Sequence, residues 1–338
     1  IGFKNYLNVV YERDTVDFSL IVKRIMNFQP DTILFLATPV AAIELVRQLG
    51  VVYLSTKKLL GWSDLSSEKF RKEMVTRGLK IIVSSSVPNP ESDDLPITKE
   101  FRLAAAQKGL NIDTYSFKGY INARIVVEIL KKIVGSITKE SIIAAAETFN
   151  TFDLGGIVLT FDPASRSMCQ SAWLDTGNSI WQLMTFDELR DIKPKIPQSP
   201  MESKRSTEPE PVKDDIVLGS TTDVSGTMSS YSSAIIAGTN IVFDAINTQG
   251  GIQGKKIKFV VRDDEYKGEK ARANVEQFLK DKIDMMLSPF GIQTLSAYLD
   301  IVQTGSLLVL FPIVGATTFE GSDYKKILTY RDPIGVEG

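Results

Sequence analysis

Ala237–Tyr266 reads AGTNIVFDAINTQGGIQGKKIKFVVRDDEY. With the residues just before it, the apolar spacing of its first half predicts a helix over Ser232–Asn247. Asn247–Gly254 (NTQGGIQG) follows, with glycines that end a helix and let the chain turn tightly. Lys256–Arg262 is then a short β-prone run that predicts a strand. A phosphate-binding loop needs glycines that follow a strand and open a helix; here the order is reversed, so these glycines read as a turn. Helix, glycine turn and buried strand form one repeat of an α/β fold.

The alternation extends outward from this stretch. Downstream it predicts a helix at Gly268–Asp281, a strand at Ile283–Leu287, a helix at Thr294–Val302 and a strand at Leu307–Phe311; upstream lies a strand at Ile216–Gly219. The first half of the chain behaves alike. Phe18–Asn27 has Phe18, Ile21, Val22 and Ile25 at helical spacing, and Thr32–Ala37 (TILFLA) reads as a strand covered on both faces. Ala41–Leu49 predicts a helix stopped by Gly50, and Lys80–Ser84 a strand. Pro88-Asn89-Pro90 breaks regular structure and marks a crossing between lobes. Helices are predicted at Ile97–Lys108, Tyr120–Val134 and Lys139–Glu147, and strands at Ile157–Phe161 and Gln170–Asp175. From Asp191 to Lys213 the periodicity stops, and five of the fourteen prolines fall there. Such a stretch buries too little surface to offset its ordering entropy, so residues 191–214 read as a flexible linker between 1–190 and 215–338.

Composition narrows the chemistry. A chain of 338 residues can bury two lobes. Its net charge of −2 gives no reason to expect nucleic acid or an anionic membrane as partner. No apolar run approaches the ~20 residues of a membrane span. The opening IGFKNYLNVVYERD lacks the apolar core of a signal peptide, so the leader of an exported form would lie outside this sequence. Histidine is absent, which removes Ser-His and Cys-His dyads and His-ligated metals. Cys169 is the sole cysteine and reads as a small strand residue or a reactive thiol, with no intrachain disulfide available.

Three constellations could bind a ligand. Ser220–Ser233 (STTDVSGTMSSYSS) sets hydroxyls between a strand and a helix, suited to a polar ligand or to helix capping. Phe290–Ser296 (FGIQTLS) repeats the arrangement after the next strand, and two such turns can converge on one ligand. Arg262–Glu265 (RDDE) reads as a solvated loop with a helix cap, or as carboxylates for Mg²⁺ or phosphoryl transfer.

Taken in order, VSG (Val224–Gly226), Ala237–Tyr266, LSPFGIQTLSAYLDIV (Leu287–Val302) and LFPIVGAT (Leu310–Thr317) resemble the opening lobe of the branched-chain amino acid and amide receptors. These are the type I periplasmic binding proteins of ABC transporters. The segment Tyr11–Ala42 resembles their second lobe and SSSVPNP (Ser84–Pro90) its return crossing. SFKGYINARIVVEILKKI (Ser116–Ile133) and FDLGGIVLTFDP (Phe152–Pro163) resemble their closing elements. The order is permuted, because the part resembling the family's opening comes last. Between TYRDPIGVEG and IGFKNYLNVVYERDT a family member carries a further inter-lobe strand, a helix and a ligand-facing aromatic. A tandem fragment, a natural permutant and a shortened sequence all fit that order.

The resemblance implies an α/β fold of two Rossmann-like lobes with parallel sheets flanked by helices, circularly permuted or fragmentary. It implies a non-enzymatic periplasmic or extracellular solute-binding protein, without cofactor or metal, that captures a small-molecule ligand in an inter-lobe cleft for an ABC permease. A sensing module acting on a signalling partner, and an interaction module without ligand, are the alternatives. By similarity Gln293 and Thr294 face the ligand's carboxylate, with Val314 and Gly315 beside them and Ser225 at the cleft's edge. The other lobe contributes Thr38, Pro39, Trp62, Ser63 and Asp64. Amino-acid receptors place an aromatic near Thr38–Pro39 and an acid near Ser63. Unless Asp64 substitutes, an ammonium group would be buried without a partner here, which is costly. An amide, a urea-like compound or an aromatic acid then fits better than a free amino acid, with Trp62 stacking on the ligand or simply packing. Residues 1–190 and 215–338 are expected to bury complementary apolar faces, within one chain or as a domain-swapped homodimer.

Overall fold

The computed structural model describes residues 5–12, 15–169, 171–177, 181–185, 215–314 and 324–331; the expected linker 191–214 and Gly315 lie outside them. The chain divides into two compact units, one of Ile1–Asn89 and Ala172–Met184, the other of Pro90–Ser171 and Thr185–Val336. It passes between them after Asn89, Ser171 and Met184. Among the described residues no helix is long and apolar enough to cross a membrane.

The first unit runs α1 (Ser19–Phe28), β1 (Thr32–Phe35), α2 (Pro39–Leu49), α3 (Val51–Leu54), β2 (Lys58–Gly61), a 3₁₀ turn at Ser63–Ser66, α4 (Glu68–Thr76) and β3 (Ile81–Ser85). β1, β2 and β3 pair in parallel, and Ile33, Leu59 and Ile81 stand in register. These three belong to one core with Phe18, Ile25, Val46, Phe70 and Met74. The opposite face departs from the prediction. Leu34, Leu60 and Ile82 are also in register, yet Leu34 and Ile82 are exposed, as is Leu36. The TILFLA strand is therefore covered on one face, not two. Two later strands, β7 (Ser171–Asp175) and β8 (Trp181–Thr185), complete the order β1-β2-β3-β7-β8. β7 runs antiparallel to β3. Buried Asp175 lies 3.6 Å from Arg71 of α4, whose guanidinium sits 5.3 Å over the Trp181 ring.

The second unit draws on both halves of the sequence. The first half supplies α5 (Pro96–Gln107), α6 (Thr114–Lys132), α7 (Lys139–Glu147), a small hairpin β4 (Phe152–Asp153) and β5 (Val158–Leu159), and β6 (Ser167–Cys169). The second half supplies β9 (Ile216–Thr222), α8 (Ser229–Thr248), β10 (Ile257–Asp263), α9 (Gly268–Lys280), β11 (Met285–Leu287), α10 (Ile292–Ser296), α11 (Leu299–Gln303), β12 (Leu308–Leu310) and β13 (Ile327–Arg331). One parallel sheet of order β10-β9-β11-β12-β13-β6 results, with Ser167 of β6 opposite Thr329 of β13. The fold is α/β with parallel sheets flanked by helices. Cys169 is buried in the edge strand β6, near the carbonyl and hydroxyl of Ser171.

Helices α6 and α8 meet backbone to backbone. A Cβ on Gly119 would overlap the carbonyl of Ile235, and one on Gly238 would overlap the carbonyl of Ser116. Thr239 Oγ1 donates to Gly119 O at 3.3 Å across the same contact. α6 begins six residues before its predicted start. Asp113 accepts the N–H groups of Tyr115 (2.7 Å) and Ser116 (2.9 Å), and Ser116 Oγ accepts the N–H of Asp113, a reciprocal cap. The predicted helix Thr294–Val302 is two short helices, and the glycine turn adopts the positive φ expected at Gly250, Gly251 and Gly254. Asn247 clamps that turn by exchanging two 2.8 Å bonds with the backbone of Ile257.

Alanine at Gly119 or Gly238 should lower the unfolding free energy by about 1–3 kcal/mol, the usual cost of forcing atoms into a filled contact. Urea denaturation should show a lower midpoint at unchanged slope. An unchanged midpoint would mean that the helices can separate at no cost.

Candidate functional site

In the second unit the C-terminal ends of β9, β10, β11 and β12 lie side by side, the position where open parallel sheets bind ligands. Two carboxylates shape the first turn. Buried Asp223 accepts the N–H groups of Gly226 (2.5 Å) and Met228 (2.7 Å). Asp263 accepts the N–H of Val224 (2.8 Å), the hydroxyl of Ser225 (2.6 Å) and the N–H of Glu265 (3.0 Å). Partial burial pushes the Asp263 carboxyl up, but these donors outweigh it and bring it to about 2. The turn that carries Ser225 is thus held by two anions.

The neighbouring Asp264 behaves oppositely. It is fully buried and accepts from Thr221 Oγ1 and from the Tyr266 N–H, both at 2.9 Å. Burial raises its carboxyl to about 6 against those two bonds, and the charges of Asp223 and Asp263 add to the rise. Within RDDE only Asp264 is buried; Asp263 is exposed, and Arg262 and Glu265 are half-buried. The helix that follows, α9, has no side-chain cap, and among the described residues no group of three or more His, Cys, Asp or Glu could hold a metal ion.

The second turn follows β11. Gly291 has φ 101° and donates to Ile313 O at 3.1 Å. Buried Thr294 donates its hydroxyl to Phe290 O (2.7 Å) and Gly291 O (3.0 Å), so toward a ligand it can only accept. Gln293 is exposed on the same turn, and Val314 packs half-buried against the core under this sheet. Ser225 and Val314 lie in the loops after β9 and β12, and Gln293 and Thr294 in α10 after β11, all at this one end of the sheet.

Aromatic side chains missing from the sequence reading also gather here. Tyr115, at the start of α6, lies 4.6 Å from Tyr231 at the start of α8. Tyr231 stacks at 6.3 Å on Phe290, and Tyr266 stands 6.1 Å from Phe290. Met228 and Ile313 pack with them, and buried Lys118 holds its ammonium 5.0 Å from the Tyr115 ring. A Cβ at Gly291 would strike the Tyr266 ring, so that glycine is needed for the ring's place. The signal in the sequence is an aromatic in each segment that follows a strand, Tyr231 in SSYSS at the start of α8, Tyr266 in DEY after β10 and Phe290 in PFG after β11.

In the first unit the expected residues sit at the ends of β1 and β2. Thr38 precedes α2, with Pro39 at its first position. Trp62 donates its indole N–H to Ala37 O at 3.1 Å, which ties the loop after β2 to the loop after β1. Ser63 is buried, and Asp64 is half-buried in the 3₁₀ turn.

The family described as Periplasmic binding protein matches residues 1–175 and 215–330. The chain belongs to that family. The search of curated proteins gave no match. Solved structures similar to the chain include a possible leucine/isoleucine/valine-binding protein from Rhodopirellula baltica SH 1. It is 26% identical over 53% of this chain and 49% of that one, with a TM-score of 0.45. A substrate-binding periplasmic protein from Ralstonia solanacearum is 31% identical over 30% of each chain, with a TM-score of 0.29. A type 1 periplasmic binding protein from Bordetella pertussis Tohama I is 26% identical over 30% of this chain and 28% of its own, with a TM-score of 0.29. The chain thus spans less than a third of the Ralstonia and Bordetella proteins and about half of the Rhodopirellula protein. At the ends of this sheet, hydrogen-bonding turns thus stand beside an aromatic cluster.

Asp264 predicts a pH dependence. Its carboxyl titrates near 3.8 when unfolded and near 6 when folded, so between those values the folded state holds more protons. Stability from this group is therefore lost as pH rises through that window. From pH 3.8 to 6 the wild type should lose about 2–3 kcal/mol relative to Asp264→Asn, measured by urea unfolding across the range. Parallel pH curves for the two proteins would assign the effect elsewhere.

Proposed function

We propose that this chain captures a small polar ligand outside the cytoplasm, without catalysis, in a cleft between two lobes. The ligand would be an amide, an aromatic acid or an amino-acid-like compound destined for an ABC permease. The observation that carries the reading is the pairing, at the C-terminal ends of one parallel sheet, of carboxylate-braced turns with the wall of Tyr115, Tyr231, Tyr266 and Phe290. Aromatic faces bury the apolar body of a ligand, and a few oriented polar groups fix its ends. Ser225, Gln293, Thr294, Val314 and Gly315 would supply the polar contacts from one lobe. Thr38, Pro39, Trp62, Ser63 and Asp64 would supply those of the other, with the Trp62 ring as a second stacking face. Family membership supports the class of function.

Isothermal titration with a panel of amino acids, their amides, urea-like compounds and aromatic acids tests this. At least one class should bind, and Tyr231→Ala, Phe290→Ala and Trp62→Ala, each verified as folded by circular dichroism, should weaken it at least tenfold. Absence of binding by every class, or affinity untouched by all three substitutions, would sink the reading.

A further inference from the structure

Among the described residues Lys118 is the only buried lysine, 6% exposed. It stands in the second turn of α6, and at helical spacing residues 115, 118 and 122 share one face. Tyr115 on that face meets Tyr231, and Asn122 on it reaches Ser288 and Phe311 at the ends of β11 and β12. Lys118 lies between these two contacts, which puts it beside the aromatic wall, and its ammonium is 5.0 Å from the centre of the Tyr115 ring. The other cations of α6 are engaged elsewhere. Arg124 pairs with Glu100, Lys131 pairs with Glu128, and Lys132 lies over the Phe149 ring.

A buried ammonium has given up much of its water and attracts an anion far more strongly than an exposed one does. Its place in α6 adds to this, because the N-terminal end of a helix is itself positive. An ammonium carries three donors, so it can hold a ligand oxygen in addition to its contacts within the fold. The carboxylates of the same corner are already occupied. Each oxygen of Asp223, Asp263 and Asp264 accepts a bond from the protein's own N–H or O–H groups. Thr294 directs its hydroxyl hydrogen to Phe290 O and Gly291 O and brings no donor to an anion.

We propose that Lys118 selects for a carboxylate: the ligand is an aromatic acid whose ring lies against Tyr231 and Phe290 and whose carboxylate pairs with the Lys118 ammonium. The inference rests on the ligand site proposed above and narrows its ligand classes to one. The ring faces supply the apolar contact. A hydrogen bond between two charged groups is about twice as strong as one between neutral groups, and an amide in the same place offers the Lys118 charge only a dipole. A free amino acid brings an ammonium group besides, and the carboxylates that would receive it are already bonded to the Ser225 turn and its neighbours.

Matched pairs that differ only in that group test it: benzoate with benzamide, and phenylacetate with phenylacetamide, titrated calorimetrically into the full chain at neutral pH. The acid of at least one pair should bind at least tenfold tighter than its amide. Lys118→Met should weaken the acid at least tenfold while the amide changes less than threefold, and Lys118→Arg, which keeps the charge, should retain the preference. In protein with nitrogen-labelled lysine, the Nζ resonance missing from the Lys118→Arg spectrum should move on adding the acid and stay in place on adding the amide. That resonance is followed in the wild type, so it decides the matter if circular dichroism shows Lys118→Met unfolded. Binding confined to amides or amino acids, an acid preference that survives Lys118→Met, or an Nζ resonance indifferent to the acid would overturn the proposal while the ligand site stands. Failure of every compound to bind would overturn both.

Discussion

The backbone contact between α6 and α8 is the constraint on which the second unit depends. Gly119 and Gly238 let the helices approach until carbonyls fill the space a side chain would occupy. At that separation Asn122, one turn beyond Gly119, reaches the sheet. Its amide donates to Ser288 Oγ (2.9 Å) and Phe311 O (3.2 Å), at the ends of β11 and β12. Both Ser288 and Phe311 have φ 51°, a left-handed conformation that residues with side chains adopt at a cost. The turns that carry Phe290 and Ile313 leave the sheet from those two residues. The helix contact, whose Ile235 packs with Tyr115 and Phe290, thereby sets the geometry of the aromatic wall.

Three adjacent carboxylates in that corner have different tasks because their surroundings differ. Asp223 and Asp263 collect N–H and O–H donors and act as fixed anions around which the Ser225 turn folds. Asp264 is buried where Asp263 is exposed and accepts two bonds where Asp263 accepts three, so its charge is the one the fold resists. Its bond to the Tyr266 N–H connects that resistance to the ring beside Phe290 and Gly291. The fully buried Tyr298 also feels the Asp264 charge, and burial together with that charge drives its phenol far above the usual range.

Much of the architecture was legible in the sequence. Ala237–Tyr266 gave helix, turn and strand because the apolar period and the glycines agree there. What was not legible depended on distant partners. β6 is short and, among the described residues, pairs only with β13 in its sheet, and β13 is held between β12 and β6. Gly119 interrupts the apolar period of α6, and only its contact with Ile235 explains why a glycine lies within that helix. TILFLA has the composition of a strand buried on both faces, but burial is decided by what packs above it, which composition does not encode. At the candidate site the hydroxyl-rich turns were visible as sequence. The wall was not, because Tyr115, Tyr231, Tyr266 and Phe290 come from four separate elements.

The pairing of β6 with β13 also governs when the molecule can be completed during synthesis. Residues 167–169 leave the ribosome long before residues 327–331, and the sheet edge they form waits for the later strand. Over the same interval α6, buried along most of its length in the finished fold, waits for α8. Contacts so distant in the chain close slowly, and apolar surface stays open while they do. The nascent chain thus passes through a stage in which a helix of nineteen residues, buried along most of its length once folded, is finished and uncovered.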